Sequence, residues 1–382
     1  MRDSEEKHTE SAGENDLIQG FEEAEMDRET AKNWQPISDR KIRVGIAGYG
    51  VCGFGAAFHF QDHPNVSVDA VADIHPDKCT ELARLCRCET TYSSCEDLIA
   101  DDGLEAVFIA TDAPSHARLA MAALDAGKHV ASAVPAVFGS LEDADALFAA
   151  AQRSDGKYMM FETSYFHHDL YCMRHMYGRG ELGKVVYSEG EYWHYFGTPL
   201  AAHRGWRTGL PPQWYPTHSN AYYMGVTGGS FTEVSCMGMP SLVEHLQPQN
   251  NVYNNPFGTE VALFRTIEGG MSRMAVSWDT PGEGGERGRI RTEQGTFYGS
   301  FKGVGGDALP EIQRPPLPPG VDAGGHGGSH GYLMNEFVEA ILSDRTPLID
   351  IAQSLNMTVS GIVAHESALR DGELLKIPQY EL

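Results

Sequence analysis

The stretch Val44-Gly45-Ile46-Ala47-Gly48-Tyr49-Gly50-Val51-Cys52-Gly53 decides the fold. Its first four residues read as an apolar strand that runs directly into G-x-G-x-x-G. Ala56, Ala57 and Phe58 follow in a pattern that predicts a helix. That order suits a dinucleotide. Gly48 permits the tight turn, Gly50 lets the backbone approach a pyrophosphate, and Gly53 lets strand and helix pack closely, with Tyr49 and Val51 between them. The N-terminus of a helix offers N–H groups and positive dipole to phosphates. A second strand, Val66 to Ala72, ends at Asp73, the separation at which a carboxylate meets the 2′-hydroxyl of an adenosine ribose. A carboxylate there repels a 2′-phosphate, so the expected cofactor is NAD rather than NADP.

Outward from this stretch, strand and helix alternate. Strands read at Arg43–Ala47, Val66–Ala72, Ala106–Ala110, His129–Ser132 and Tyr158–Glu162. Helices read at Gly55–Asp62, Pro76–Leu85, His116–Ala126 and Leu141–Ser154, with Gly127 placed to cap the third. This pattern predicts an α/β fold that starts with a doubly wound parallel sheet, its ligand at the carboxyl ends of the strands.

Beyond about Glu162 the character changes. A helix over Leu170–Arg179 leads into β-rich runs at Val185–Tyr195, Phe231–Cys236, Glu260–Thr266, Ser272–Trp278 and Arg289–Phe301, punctuated by Gly-Gly and Asn-Pro. These predict one mostly antiparallel sheet in a second, α+β domain. Ala308 to Gly328 reads as a Pro- and Gly-rich loop, and helices return at Gly331–Leu342 and Gln353–Asp371. The division expected is a tail over 1–40, a nucleotide-binding domain over 41–160, and a substrate and oligomerisation domain over 161–382 whose last helices pack back. The tail is acidic, poor in apolar residues and expected to be mostly disordered, with room for a short helix around Leu17 to Met26.

Composition narrows the partners. The formal net charge of -24 over 382 residues repels nucleic acid and anionic membrane surfaces. No apolar run is long enough to span a bilayer, and no secretory signal pattern is visible. Seven cysteines without a regular framework fit a reducing cytoplasm. Cys79, Cys86, Cys88 and Cys95 lack a C-x-x-C pair and read as packing residues. His326 and His330, either side of Gly327-Gly328, read as loop, so no metal site is expected.

From Lys41 onward the chain resembles the Gfo/Idh/MocA oxidoreductases. The resemblance rests on Gly48-Tyr49-Gly50 with Asp73, Val107-Phe108-Ile109-Ala110-Thr111, His116, Ala126-Gly127-Lys128-His129-Val130, Ser367-Ala368, Gly372 and Ile377-Pro378. It implies a Rossmann domain followed by a domain whose sheet leaves one face open, and subunits paired through that face as a dimer or tetramer. It implies NAD-linked hydride transfer at a carbon of a sugar or similar molecule. Thr111, His116, Val134 and Pro135 then lie along the cofactor. Two departures stand out. Most members follow Gly-Lys-His-Val with Glu-Lys-Pro, where this chain has Ala133-Val134-Pro135, so Val134 replaces a lysine. Trp214 stands where the usual dehydrogenases carry an aspartate four residues before the histidine matched by His218.

A subgroup shares some of these departures. The chain is similar to the NAD-dependent glycosidases of glycoside hydrolase family 109 around Tyr158-Met159-Met160-Phe161-Glu162, Tyr192-Trp193-His194 and Tyr215-Pro216-Thr217-His218, with Thr163 in place of the usual asparagine. That resemblance implies active-site roles for Glu162, His194, Tyr215 and His218. Gly205-Trp206-Arg207 matches the substrate-facing segments loosely; Arg204 and Arg207 are candidates for an anionic group or solvated loop residues.

The residue types fit such chemistry. Oxidation of a ring carbinol acidifies the neighbouring C–H. Tyr215 can remove that proton, helped if a nearby histidine lowers its pKa, and His218, as a neutral imidazole near its unperturbed pKa, can accept the hydroxyl proton. Elimination, water addition and reduction would then cleave a glycoside without net redox. Net sugar oxidation and a non-catalytic NAD-binding sensor are the competing outcomes.

Overall fold

The computed structural model describes residues 30–199, 205–303 and 312–382. The segment Leu17–Met26 and Arg204 lie outside the described residues.

Six strands form the first sheet: β1 (Ile42–Ala47), β2 (Val66–Ala72), β3 (Thr91–Tyr92), β4 (Ala106–Ile109), β5 (His129–Ser132) and β6 (Tyr158–Met160). Their order is β3-β2-β1-β4-β5-β6, and all neighbours are parallel. The chain leaves β1 in one direction and returns to the other side at β4, which opens a crevice beyond the carboxyl ends of these two strands. Helices α1 (Pro76–Cys86), α2 (Cys95–Ile99), α3 (His116–Asp125) and α4 (Leu141–Arg153) connect the strands. Two begin on side-chain caps: Ser94 accepts from Asp97 N–H and Ser140 from Asp143 N–H. β4 is buried along its whole length, as expected of a strand covered on both faces.

One expected helix is not formed. Residues 52–58 make a succession of tight turns, followed by a short 3-10 turn at Phe60–Asp62. Phe54 N–H donates to Val51 O, Ala56 to Gly53 O and Ala57 to Phe54 O, each reaching three residues back. Cys52, Gly53 and His59 take left-handed φ. Gly53 and Gly55 deprive the segment of helix propensity, and Pro64 ends it. Gly55 is pressed against the loop before it: a Cβ there would lie 2.2 Å from Gly48 O. Under this segment Phe58, Phe60, Phe108 and Phe161 form an aromatic cluster, with Phe108 and Phe161 centroids 5.1 Å apart.

The second sheet has eight strands: β7 (Val185–Trp193), β8 (Phe231–Pro240), β9 (Phe257–Thr266), β10 (Met271–Ser277), β11 (Gly285–Thr292), β12 (Gly295–Tyr298), β13 (Ser300–Gly303) and β14 (Leu375–Lys376). The order is β13-β12-β11-β7-β10-β9-β8-β14, antiparallel except between β7 and β10. The run read as one strand over Arg289–Phe301 is three, because turns at Glu293-Gln294 and Gly299 fold it back on itself.

Helix α5 (His168–Gly178) precedes this sheet, and α6 (Thr217–Thr227), unread in the sequence, packs on β7 and β11. α7 (His330–Leu342) and α8 (Ile351–Leu369) follow; α8 packs on α4 and β6 of the first sheet as well as β8 of the second. Burial alternates along β9, with Ala262 and Phe264 inward and Val261 and Leu263 outward. The outer face also exposes Met237 and Met271, so the sheet is open-faced as expected.

Candidate active site

A cleft of about 460 Å³ opens at the carboxyl ends of the parallel strands. Gly48 and Gly50 after β1, Asp73 after β2, Thr111 after β4 and Val134 after β5 line one end. Gly48 and Gly50 have φ of 101° and 70°. A Cβ on Gly48 would sit 2.8 Å from Ala110 O, so the loop lies too close to the end of β4 for a side chain. Asp73 joins the two turns: its carboxylate accepts from Tyr49 N–H at 2.9 Å and His75 N–H at 2.8 Å. Val51 also lines the cleft, whereas Gly53 stands behind the loop with φ of 79°.

His116, at the start of α3, is 1 % exposed, with Nδ1 2.9 Å from Pro135 O and Nε2 3.2 Å from Thr111 O. It thereby ties the loops after β4 and β5, and burial lowers its pKa. Val134 gives this part of the cleft an apolar wall, while Trp214 lies outside it, packed between Phe138 and Tyr253.

Tyr192, His194, Trp206, Arg207, Tyr215 and His218 line the other end. Tyr192 and His194 come from the end of β7, and Tyr215 and His218 from the first turn of α6 and the residues before it. Glu162, just past β6, is fully buried and accepts from Ser164 N–H at 2.9 Å. Its Oε1 lies 2.7 Å from His218 Nδ1. Nδ1–H donates to the carboxylate, so neutral His218 keeps its lone pair on Nε2.

A second carboxylate, Glu286 of β11, comes within 3.6 Å of the same Nδ1 and accepts from Ser164 Oγ at 2.5 Å. His167 Nε2 lies 3.3 Å from its other side. Glu162, His218 and Glu286 are also, among the described residues, a group able to converge on a metal ion. The direct 2.7 Å hydrogen bond makes the arrangement a histidine held between carboxylates.

The electrostatics correct two expectations. Burial pushes His218 down, but Glu162 and Glu286 outweigh it, so its pKa is raised above the ordinary 6.5. Burial likewise pushes Glu162 up, but His218, Thr217 and the Ser164 N–H hold it below its usual value. His218 is therefore a stronger base than a solvated imidazole. Tyr215 is raised by burial, not lowered by a histidine; the cation that opposes the shift is Arg207, whose guanidinium carbon lies 4.5 Å from the ring centroid. Tyr192 OH lies 3.1 Å from His194 Nδ1 and sets that ring's orientation.

Cleft residues that the sequence reading did not assign to the site include Phe54, Lys78, Arg118 and His326. Lys78 carried a local signal, as a cation in the first turn of the helix after Asp73. Cys95 lines the cleft, and Cys79 and Cys86 are buried packing residues.

The model of the Gfo/Idh/MocA group, described as "Oxidoreductase family, NAD-binding Rossmann fold", matches residues 42–162. Residues 42–162 belong to the Gfo/Idh/MocA family. The cofactor is NAD, and the glycine cradle and Asp73 fit it. Among curated relatives, a glycosyl hydrolase family 109 protein of Shewanella amazonensis is 26% identical over 291 residues, 68% of this chain and 63% of that one. The match thus spans less than two thirds of that relative's length. Among solved structures, an oxidoreductase domain protein from Kribbella flavida superposes with a TM-score of 0.73 at 19% identity, over 89% of this chain and 100% of that one. A levoglucosan dehydrogenase in complex with NADH and levoglucosan gives 0.72 at 17% identity, over 89% and 100%. Both likenesses concern the fold. No helix among the described residues is long and apolar enough to cross a membrane.

Proposed function

We propose that this chain is an NAD-dependent enzyme acting at a ring carbon of a sugar or glycoside. The observation that carries the reading is His218, anchored through Nδ1 by Glu162 at 2.7 Å, in the wall of a cleft shared with the glycine loop. NAD supplies a hydride acceptor when bound. His218 takes the hydroxyl proton of the carbon being oxidised on Nε2, and Glu162 and Glu286 stabilise the imidazolium. His194 and Arg207 bind substrate oxygens, with Trp206 as an apolar platform. Val134 cannot carry a proton, which leaves proton handling to the histidine side of the cleft.

A specific arrangement favours redox-neutral glycoside cleavage as a second reading. Tyr215 stands against Arg207 and 5.6 Å, ring to ring, from His218. Burial raises Tyr215 and the guanidinium opposes that rise, so Tyr215 is the group placed to remove the proton beside a new carbonyl before the aglycone leaves. The likeness to family 109 points the same way. A non-catalytic sensor would bind NAD in the same cradle without turnover.

The outer face of the second sheet, with exposed Met237, Leu263 and Met271, is the surface through which we propose that copies of the chain associate.

The deciding test mixes the protein and NAD with nitrophenyl glycosides and free sugars while following nitrophenolate and NADH together. Nitrophenolate without NADH accumulation supports cleavage. NADH accumulation without aglycone release supports a dehydrogenase. Neither, with NAD bound, overturns catalysis on these substrates.

A further inference from the structure

Arg207 sits on a turn over 205–209 that is fastened from three sides. The Tyr253 hydroxyl donates to Trp206 O, Asn255 Nδ2 donates to Gly209 O at 3.1 Å, and Trp278 Nε1 donates to Leu210 O, just past the turn, at 2.8 Å. The guanidinium is thereby set in the cleft wall against three rings. Its carbon lies 4.5 Å from the ring centroid of Tyr215, 5.1 Å from that of Trp206 and 5.9 Å from that of Phe196. Nε is buried and makes no hydrogen bond. The two Nη, outside that shielding, form the end of the fork that the cleft exposes.

Among the described residues no carboxylate pairs with this cation. The two carboxylates of the site, Glu162 and Glu286, are turned to His218, Ser164 and His167 instead. The polar neighbours of the guanidinium are the phenols of Tyr192 and Tyr215. Burial raises both phenols, so they stay neutral at ordinary pH and supply no counter-charge. Rings and neutral phenols offset the loss of water around a guanidinium only in part; a buried arginine ordinarily meets an anion in a two-point contact. The other lysine and arginine on the cleft, Lys78 and Arg118, belong to the nucleotide end, where Arg118 is paired with Glu96. On a chain of net charge -24, an anion is retained only where a local cation holds it.

We propose that the substrate of this cleft is an acidic sugar, a uronic acid or uronide, and that Arg207 is the specificity-determining residue whose two Nη donate to its carboxylate. This rests on the sugar chemistry proposed above and narrows it to an anionic class. A sugar phosphate offers the same anion chemistry. One arginine at this end of the cleft matches the single charge of a carboxylate better than the double charge of a phosphate ester, and the experiment separates the two sources.

The test loads the full chain with NADH and titrates matched methyl glycosides by NADH fluorescence: glucoside, glucuronide and glucoside 6-phosphate, with the galactose series beside them. The expected result is a uronide Kd about tenfold or more below that of its neutral partner in at least one series. Arg207→Gln should bring the two within about twofold, and Arg207→Lys, which keeps the charge and loses the fork, should restore the preference in part. Equal or tighter binding of the neutral glycosides by the wild type overturns the proposal, as does binding of no acidic member. Tighter binding of the phosphate than of the uronide assigns the anion to a phosphate and overturns the carboxylate. A preference that survives in Arg207→Gln overturns the role of Arg207. If that variant does not fold, the wild-type preference and Arg207→Lys still decide. Steady-state kinetics on nitrophenyl uronides and glycosides separates this proposal from the function above. Arg207 also stands against Tyr215, so its loss lowers turnover of both members of a pair, and the ratio between them reports the anion contact. Tighter uronide binding without turnover of any member supports the anion site while the catalytic reading fails. Turnover with equal kcat/KM for both members keeps the catalytic reading and overturns the anion site.

Discussion

Glu162 Oε1 and His218 Nδ1 meet at 2.7 Å, and neither side chain is more than 4% exposed. The pair links the end of a parallel strand to the start of a helix packed on the other sheet, so one hydrogen bond connects the two halves of the cleft. Glu162→Gln keeps the shape and removes the charge. We expect kcat/KM to fall roughly 100-fold, and its acid limb, which reports His218, to move to lower pH. In the wild type that limb should lie above pH 6.5, since the two carboxylates raise the imidazole. A limb at or below 6.5 would contradict His218 as the base.

The same pair predicts a stability profile. His218 is raised, so its contribution is complete below 6.5 and is lost as pH climbs through its folded pKa. Glu162 is depressed, so its contribution is present above 4.5 and is lost as pH falls through its folded pKa. Both contributions are fully present between 4.5 and 6.5. Glu162→Ala, which leaves the buried imidazole without its anchor, should cost about 3 kcal/mol in urea denaturation. The difference from wild type should be largest inside that window. A flat difference from pH 4 to 9 would count against the pair.

Tyr215→Phe distinguishes the two catalytic readings. If the phenol removes a C–H proton, the variant loses aglycone release by about 100-fold or more, while NADH affinity and the first half-reaction survive. Full nitrophenolate release from the variant would leave cleavage without a role for Tyr215.

Asp73 is held by Tyr49 and His75 N–H groups at the end of β2. Asp73→Ser should narrow the preference for NAD over NADP by about tenfold or more, by removing the repulsion of a 2′-phosphate. Nearby Lys78 remains as a cation on the cleft. Competition titrations with both reduced cofactors measure this; an unchanged ratio would place the discrimination elsewhere.

Leu263→Glu puts a charge on the exposed face of β9, where the wild-type side chain is 47% exposed. If copies associate through this face, the variant should elute later from a sizing column at unchanged Tm. Identical elution would remove the face from consideration.

Much of this architecture was legible locally. The glycine loop, Asp73 and the strand alternation each announce themselves within a few residues, because turn chemistry and hydrophobic period are local properties. Glu286 was not legible. It lies in a glycine-rich stretch that read as turn, and it reaches Ser164 across 122 positions of chain through the pairing of β11 with β7. His326 read as loop, and only tertiary structure puts it against His330 and the cleft. Helix α6 was missed because its buried, glycine-containing sequence, Thr217–Thr227, has no polar face. The helix expected over Gly55–Asp62 failed for the opposite reason: the small residues suited it, but the left-handed His59 interrupts that span.

The bond from His330 to Ala57 O spans 273 positions. It fastens the irregular segment that replaces a helix behind the Gly48-Tyr49-Gly50 turn. During synthesis, therefore, the parallel sheet can assemble early, but this side of the glycine turn lacks its fastening until the chain as far as His330 has left the ribosome. Cofactor capture is thereby made a late event, and a chain cut short before α7 would carry the fingerprint glycines without the support behind them.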